Sequence, residues 1–368
     1  MRRKMVSLLL IVCFFCLSGF IFVHSGSGLF SKKYYEVIPF ETVSTNAMVV
    51  PVAIGGKVYN FQFDTGASTS ISNELFAELN LTITDSLTVR DYYNNKMNVM
   101  QAILPDLSLG KTKFRNVKVG VIRPIQSLLP FGVKIDGYLG NDVLSNGVVQ
   151  IDMLQHQLVI ANSMKSINVA RHHSVDFHVN NQMIPYLDIQ FPGTDASEKV
   201  MFDTGSANYY YRLEKKTFQK MIKTKQLSQK DILDTLGASA NGSGIFGKQN
   251  EKEIYVVNFD RIRFVGQTIY NCPAYTFTSG YSSVVGSPFL QLGIVTINYR
   301  DQKFYFKPYT DQVIDLGPKN GYKKKPNKES QMVFQTLLKD TLDEQNSNRK
   351  ESIFRELNFL SLDSLSTK

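Results

Sequence analysis

Two copies of one short acidic motif carry the chemistry that this chain offers. Asp64-Thr65-Gly66-Ala67 follows Phe63, and Asp203-Thr204-Gly205-Ser206 follows Phe202. At background composition such a tripeptide arises about 0.05 times in a chain of this length, and a lone copy is ordinary turn chemistry. Two copies in matching halves have a chemical use. If a pseudo-twofold axis relates the halves, Asp64 and Asp203 meet, and two carboxylates about 3 Å apart cannot both ionise, so they share one proton. The ionised member then acts as a base toward a water between them, and the protonated member supports the oxygen of an attacked amide. Thr65 and Thr204 are expected to lock the two loops through hydroxyl hydrogen bonds. Gly66 and Gly205 let backbone N–H groups approach the carboxylates. This chemistry requires no covalent intermediate, metal or cofactor.

The elements around the motifs repeat as well. Leu139-Gly140-Asn141-Asp142-Val143-Leu144 is matched by Val285-Gly286-Ser287-Pro288-Phe289-Leu290. Gly147-Val148-Val149-Gln150-Ile151-Asp152 falls on Gly293-Ile294-Val295-Thr296-Ile297-Asn298. A duplicated plan with a longer insertion in the second half follows, with lobes at 47–165 and 166–310. Ala47 to Ile54 is apolar and β-branched, Gly55-Gly56 is a hairpin signal, and Val58 to Phe63 alternates with Phe61 and Phe63 on one face. Each acidic triplet therefore sits at a strand end. Ser72 to Leu79 reads as a short capped helix, and Leu213 to Lys223 and Ser228 to Leu236 read as longer counterparts. The first strands of the second lobe are expected near His178–Phe191.

On these motifs the sequence resembles the aspartic peptidases, the family of pepsin-like bilobal enzymes and dimeric retroviral proteases. Ile135-Asp136-Gly137-Tyr138-Leu139-Gly140 and Val284-Val285-Gly286 resemble the glycine motif that this family pairs with each Asp-Thr-Gly. The resemblance spans about 47–310 and implies an all-β fold of two homologous β-barrel lobes with a cleft between them and few short helices. It implies Asp64 and Asp203 as the catalytic dyad, an extended peptide as substrate, and a β-hairpin flap over the cleft. Asp91 to Lys96 has hairpin character, which puts Tyr92 and Tyr93 forward as substrate-covering residues. The chain departs from pepsin-like enzymes in having no Trp, no internal disulfide and short lobes; its compact plan resembles a fused pair of retroviral-type subunits. The residue after the triplet is Ala67 in one lobe and Ser206 in the other. A hydroxyl there donates to its carboxylate, so Asp203 is expected to ionise more readily and Asp64 to keep the proton.

Other chemistries find no framework. The five histidines include no H-E-x-x-H, and there is no G-x-S-x-G elbow. Gly242 to Gly247 satisfies G-x-G-x-x-G, but no strand leads into it and no amphipathic helix follows, so it reads as a mobile glycine loop and not a nucleotide site. Of Cys13, Cys16 and Cys272 only the last lies in the folded part, as a small buried hydrophobe. The 41 basic and 32 acidic residues give a net charge of +9, but the signs are mixed and point to no nucleic acid.

Arg2-Arg3-Lys4 before the uncharged run Met5 to Val23 has the pattern of an export signal, with an uncleaved membrane anchor as the competing reading over 1–25. The protein is accordingly expected to be secreted or held at the cell envelope, and to be a monomer. Residues 26–46 read as a spacer or short propeptide. Residues 311–368 read as a polar flexible tail with amphipathic stretches at Met332–Leu342 and Ile353–Leu360. The function expected is an aspartic endopeptidase. The alternatives are a catalytically inactive peptide- or protein-binding module on the same fold, and an assembly or tethering protein. The second alternative would have no reason to retain both triplets.

Overall fold

The structure, a computed structural model, describes residues 33–317 apart from 44–45, 92–94, 123–132, 195, 208, 237–240, 245–246, 251–253 and 278–281. The N-terminal apolar run, Tyr92, Tyr93 and the amphipathic stretches of the tail lie outside the described residues. Among the described residues no helix is long and apolar enough to cross a membrane.

The fold is all-β, with three large sheets and few short helices. The first lobe is an eight-stranded sheet that begins with Glu41–Val43, Ala47–Ile54 and Lys57–Phe63 and ends on the long hairpin Ile83–Arg90 with Lys96–Leu109. Ala53 pairs with Ser108 and curls that sheet toward closure. The second lobe is a nine-stranded sheet built on the same plan, in which Ile189 pairs with Phe264 to make the equivalent closure. Burial explains both. Phe61 and Phe63, on one face of Lys57–Phe63, and Phe202 in the second lobe are fully buried. Gly55 and Gly56 turn the first hairpin with φ of 58° and 84°, a conformation that side chains with a Cβ resist.

A six-stranded sheet joins the lobes, taking three strands from each half of the chain. At its centre Val148–Asp152 pairs antiparallel with Gly293–Asn298. Gln150 lies opposite Thr296, and its Nε2 donates to Thr296 Oγ1 at 2.9 Å across a sequence separation of 146. That separation is the repeat spacing itself. A residue paired with its own repeat marks the point where the pseudo-twofold axis crosses the sheet. The outer strand Tyr35–Pro39 pairs with Gln157–Ala161. It lies in the stretch that reads as spacer or propeptide, and Ile38 and Phe40 are buried there.

Two local expectations change. Ser228 does start a helical turn, with a capping box to Asp231, but the turn spans only Gln229–Asp231. From Ile232 the chain is a strand, Ile232–Leu236, paired with Ile254–Val257. Helix propensity lost there to a sheet that buries Ile232. The glycine-rich segment also carries strand pairing, Asn241–Gly244 against Gly247–Asn250, where a loop was expected. Cys272 is buried, and burial pushes its thiol up to about 12.

Candidate active site

Each acidic triplet is delivered by the same three-strand arrangement. Lys57–Phe63 runs parallel to Gly137–Leu139, which is antiparallel to Ser70–Ser72; in the second lobe Ser197–Asp203, Ser283–Gly286 and Tyr211–Glu214 do the same. The crossing glycines are required by space. A Cβ on Gly140 or on Gly286 would overlap backbone atoms of the loop that follows the aspartate, Ala67 and Ser68 in one case and Ser206 in the other. The loop is thereby pressed against the crossing strand, with Asn141 N–H donating to Ala67 O and Ser287 N–H to Ser206 O.

The two loops meet on the pseudo-twofold axis. Thr65 Oγ1 donates to Phe202 O at 2.8 Å and accepts from Thr204 N–H at 2.9 Å. Reciprocally, Thr204 Oγ1 donates to Phe63 O at 3.1 Å and accepts from Thr65 N–H at 3.0 Å. Both threonines are fully buried. Gly66 N–H donates to Asp64 Oδ1 at 2.7 Å and Gly205 N–H to Asp203 Oδ1 at 2.8 Å. A Cβ on Gly66 would lie 2.5 Å from Asp203 Cγ, and one on Gly205 would overlap the Asp64 carboxylate. The structure thus brings Asp64, Asp203, Thr65, Thr204, Gly66 and Gly205 to one place. Tyr92 and Tyr93 are outside the described residues; nearby, Arg90 pairs opposite Lys96.

The electrostatics separate the two carboxyls. Asp64 is held well above the ordinary carboxylate range by burial and then by the adjacent charge of Asp203, against the opposing Gly66 N–H. Asp203 is also raised by burial, but a hydrogen bond from Asp64, the Gly205 N–H, the Arg212 charge and the Ser206 N–H all favour its ionised form. The surroundings of Asp203 thus favour its ionised form more than those of Asp64 do, through the Ser206 backbone and Arg212 and not through the Ser206 hydroxyl that was anticipated. Replacing Arg212 by Gln should raise the pH at which Asp203 is protonated. The acidic limb of a pH–rate profile then moves to higher pH, while Ser206→Ala leaves it in place; the opposite pattern would return the asymmetry to the hydroxyl. Apparent values in such a profile belong to the pair.

A stability consequence follows from the same shifts. Both native pKa values lie above that of an unfolded aspartate, so the native state binds more protons through the interval between them. Stability is then greatest below the unfolded value near 4 and is lost as pH rises through the native values. Thermal unfolding followed from pH 3.5 to 7 should show Asp64→Asn gaining on the parent as pH rises. A constant difference across that range would contradict the raised pair.

Two further carboxylates brace the site through partly buried hydrogen bonds, and no sequence pattern pointed to either. In the first lobe Asp142 accepts from Thr69 Oγ1 at 2.5 Å and from Thr69 N–H at 3.0 Å, while Thr69 Oγ1 accepts from Gly140 N–H at 3.1 Å. In the second, Glu198 accepts from the Tyr211 hydroxyl and the Ser283 hydroxyl. Each ties its crossing strand to the strand beside it, and burial raises both carboxyls. A cavity of about 540 Å³ lies elsewhere in the second lobe, among Tyr210, Val256, Tyr275, Tyr309 and Ile314, and neither aspartate lines it. Among the described residues no three His, Cys, Asp or Glu side chains converge as a metal site would need.

Paired three-strand motifs, joined by a threonine grip that presents two aspartates, define the class. Residues 50–143 match the family model described as aspartyl protease. That match takes in the first acidic triplet and its crossing strand, and it agrees with the resemblance that the motifs carry. No curated protein matches the chain. Solved structures similar to it include the crystal structure of Basic 7S globulin from soybean, at 9% identity and a TM-score of 0.44, covering 76% of this chain and 97% of that one.

Proposed function

We propose that this protein is an aspartic endopeptidase whose catalytic dyad is Asp64 and Asp203. The observation that carries the reading is the pair of facing carboxyls, partly buried and both raised, at the junction of two matching loops. Asp203, ionised, takes a proton from water as the water oxygen bonds to the scissile carbonyl carbon. Asp64 gives its proton to the carbonyl oxygen, so neither charge is left unpaired in a dry site. Collapse breaks the C–N bond. The amine nitrogen leaves with the proton held by Asp203, and one hydroxyl of the intermediate returns its proton to Asp64. Thr65, Gly66, Thr204, Gly205 and Ser206 support geometry and charge. Tyr92 and Tyr93, outside the described residues, are assigned to cover the substrate on the hairpin character of their sequence.

The substrate class is a polypeptide. The basic, uncharged-core leader at residues 1–25 supports export or anchoring at the cell envelope, where such an activity would meet its substrates. Incubating the intact protein with a mixed peptide library across pH, with products read by mass spectrometry, tests the activity. Discrete cleavage sites that depend on both aspartates are expected. Peptide retention without any cleavage would favour the binding module.

A further inference from the structure

Tyr138 occupies a position that neither packing nor the family motif obliges to be tyrosine. It lies on Gly137–Leu139, directly beside Gln62 in the parallel pair, so its side chain shares the face of Gln62 and of Asp64 two residues on. Its ring packs among Val49, Val99, Ile122 and Ile135 and is only 5% exposed. In the second lobe the equivalent crossing strand carries Val284, in a matching small cluster with Ile184 and Met201. An aliphatic side chain is therefore sufficient to fill that place. The hydroxyl is what the first lobe adds.

That hydroxyl lies where the negative charge of both Asp64 and Asp203 reaches it, and with burial this keeps it protonated far above neutral pH. Tyr186, the other tyrosine near the pair, senses Asp203 alone and is engaged by Asn180. Among the described residues the Tyr138 hydroxyl makes no hydrogen bond, yet it is not among the fully buried polar atoms without a partner, so it opens to solvent and is free to donate to an arriving group.

We propose that Tyr138 is a third catalytic group, whose hydroxyl donates a hydrogen bond to the reacting oxygen held between Asp64 and Asp203. The inference rests on the endopeptidase reading and deepens it. Tyr138 transfers no proton. The protons move between water, the two aspartates and the leaving nitrogen as described, and the phenol stabilises the charge that develops on oxygen in the transition state. It acts from the first-lobe side only, because Val284 has no donor.

Tyr138→Phe removes the oxygen and keeps the ring. It should lower kcat by about tenfold to a hundredfold while KM changes less than about threefold, the pattern of an interaction made in the transition state. Tyr138→Leu should lose at least as much. A second measurement needs no turnover. In ligand-free protein labelled at tyrosine Cζ, the Tyr138 resonance, identified by its loss in Tyr138→Phe, should shift as the pair titrates and stay still in the Asp64→Asn/Asp203→Asn double variant. A Tyr138→Phe enzyme within twofold of the parent kcat overturns the proposal, as does a resonance indifferent to the pair. Cleavage that survives the double variant overturns the endopeptidase reading instead.

Discussion

Asp64→Asn is expected to abolish peptide cleavage, by about a thousandfold or more, without loss of folded protein. The substitution keeps the size of the side chain but removes the proton that Asp64 holds for the substrate oxygen, and general acid–base groups of this kind contribute about 10²- to 10⁴-fold. Asp203→Asn removes the base and is expected to be as severe. Because both groups act on one water, the double variant should be little worse than either single one. Far-ultraviolet dichroism and thermal unfolding would show whether the fold survives. Survival is expected, since a neutral amide relieves the repulsion that raises Asp64 beside Asp203. Full activity in either single variant would remove the dyad from the mechanism. A parent protein that binds peptides as its variants do, and cleaves none, would make the fold a binding module.

The second large effect concerns Thr204→Val. Valine matches threonine in shape but not in polarity, so Phe63 O and the Thr65 N–H each lose the Thr204 hydroxyl in a fully buried place. An unsatisfied buried group costs about 1–3 kcal/mol, so roughly 2–5 kcal/mol of stability should go. The loss falls on the contact that joins the two loops, and misplacement of about 1 Å can cost a hundredfold in rate. Thr204→Val should therefore melt several degrees lower and cleave about a hundredfold more slowly, whereas Thr204→Ser keeps the hydroxyl and should keep most of both. If valine and serine behaved alike, the grip would be incidental to how the carboxyls meet.

The aspartates were legible because their chemistry and their repeat spacing coincide in the linear chain. The hairpin around Gly55-Gly56 and the strand ends that carry each triplet were legible for a local reason: alternation and turn chemistry act over a few residues. Where local signals competed with distant partners, they misled. The capping box at Ser228 began a turn that strand pairing with Ile254–Val257 cut short. The glycines after Asn241 looked like a loop because nothing nearby reveals that Gly247–Asn250 comes back to pair with them.

Some features existed only once the chain had folded. Tyr35–Pro39 has no marker of its membership in the shared sheet beyond two apolar side chains, Ile38 and Phe40, which are buried only because the other strands are there. Asp142, Glu198 and Arg212 are ordinary charged residues in sequence. The links of Asp142 and Glu198 to the site come from neighbours more than 70 positions away, Thr69 for Asp142 and Ser283 for Glu198.

By itself, then, the sequence determined which side chains are paired and that two halves share one plan, since composition and spacing are properties of the chain alone. Tertiary structure decided how the surroundings of the two aspartates differ. Charge in a dry interior depends on distances that no linear order encodes, and the pseudo-twofold symmetry that the repeat predicts is broken by Arg212 and Tyr138, residues the repeat does not share.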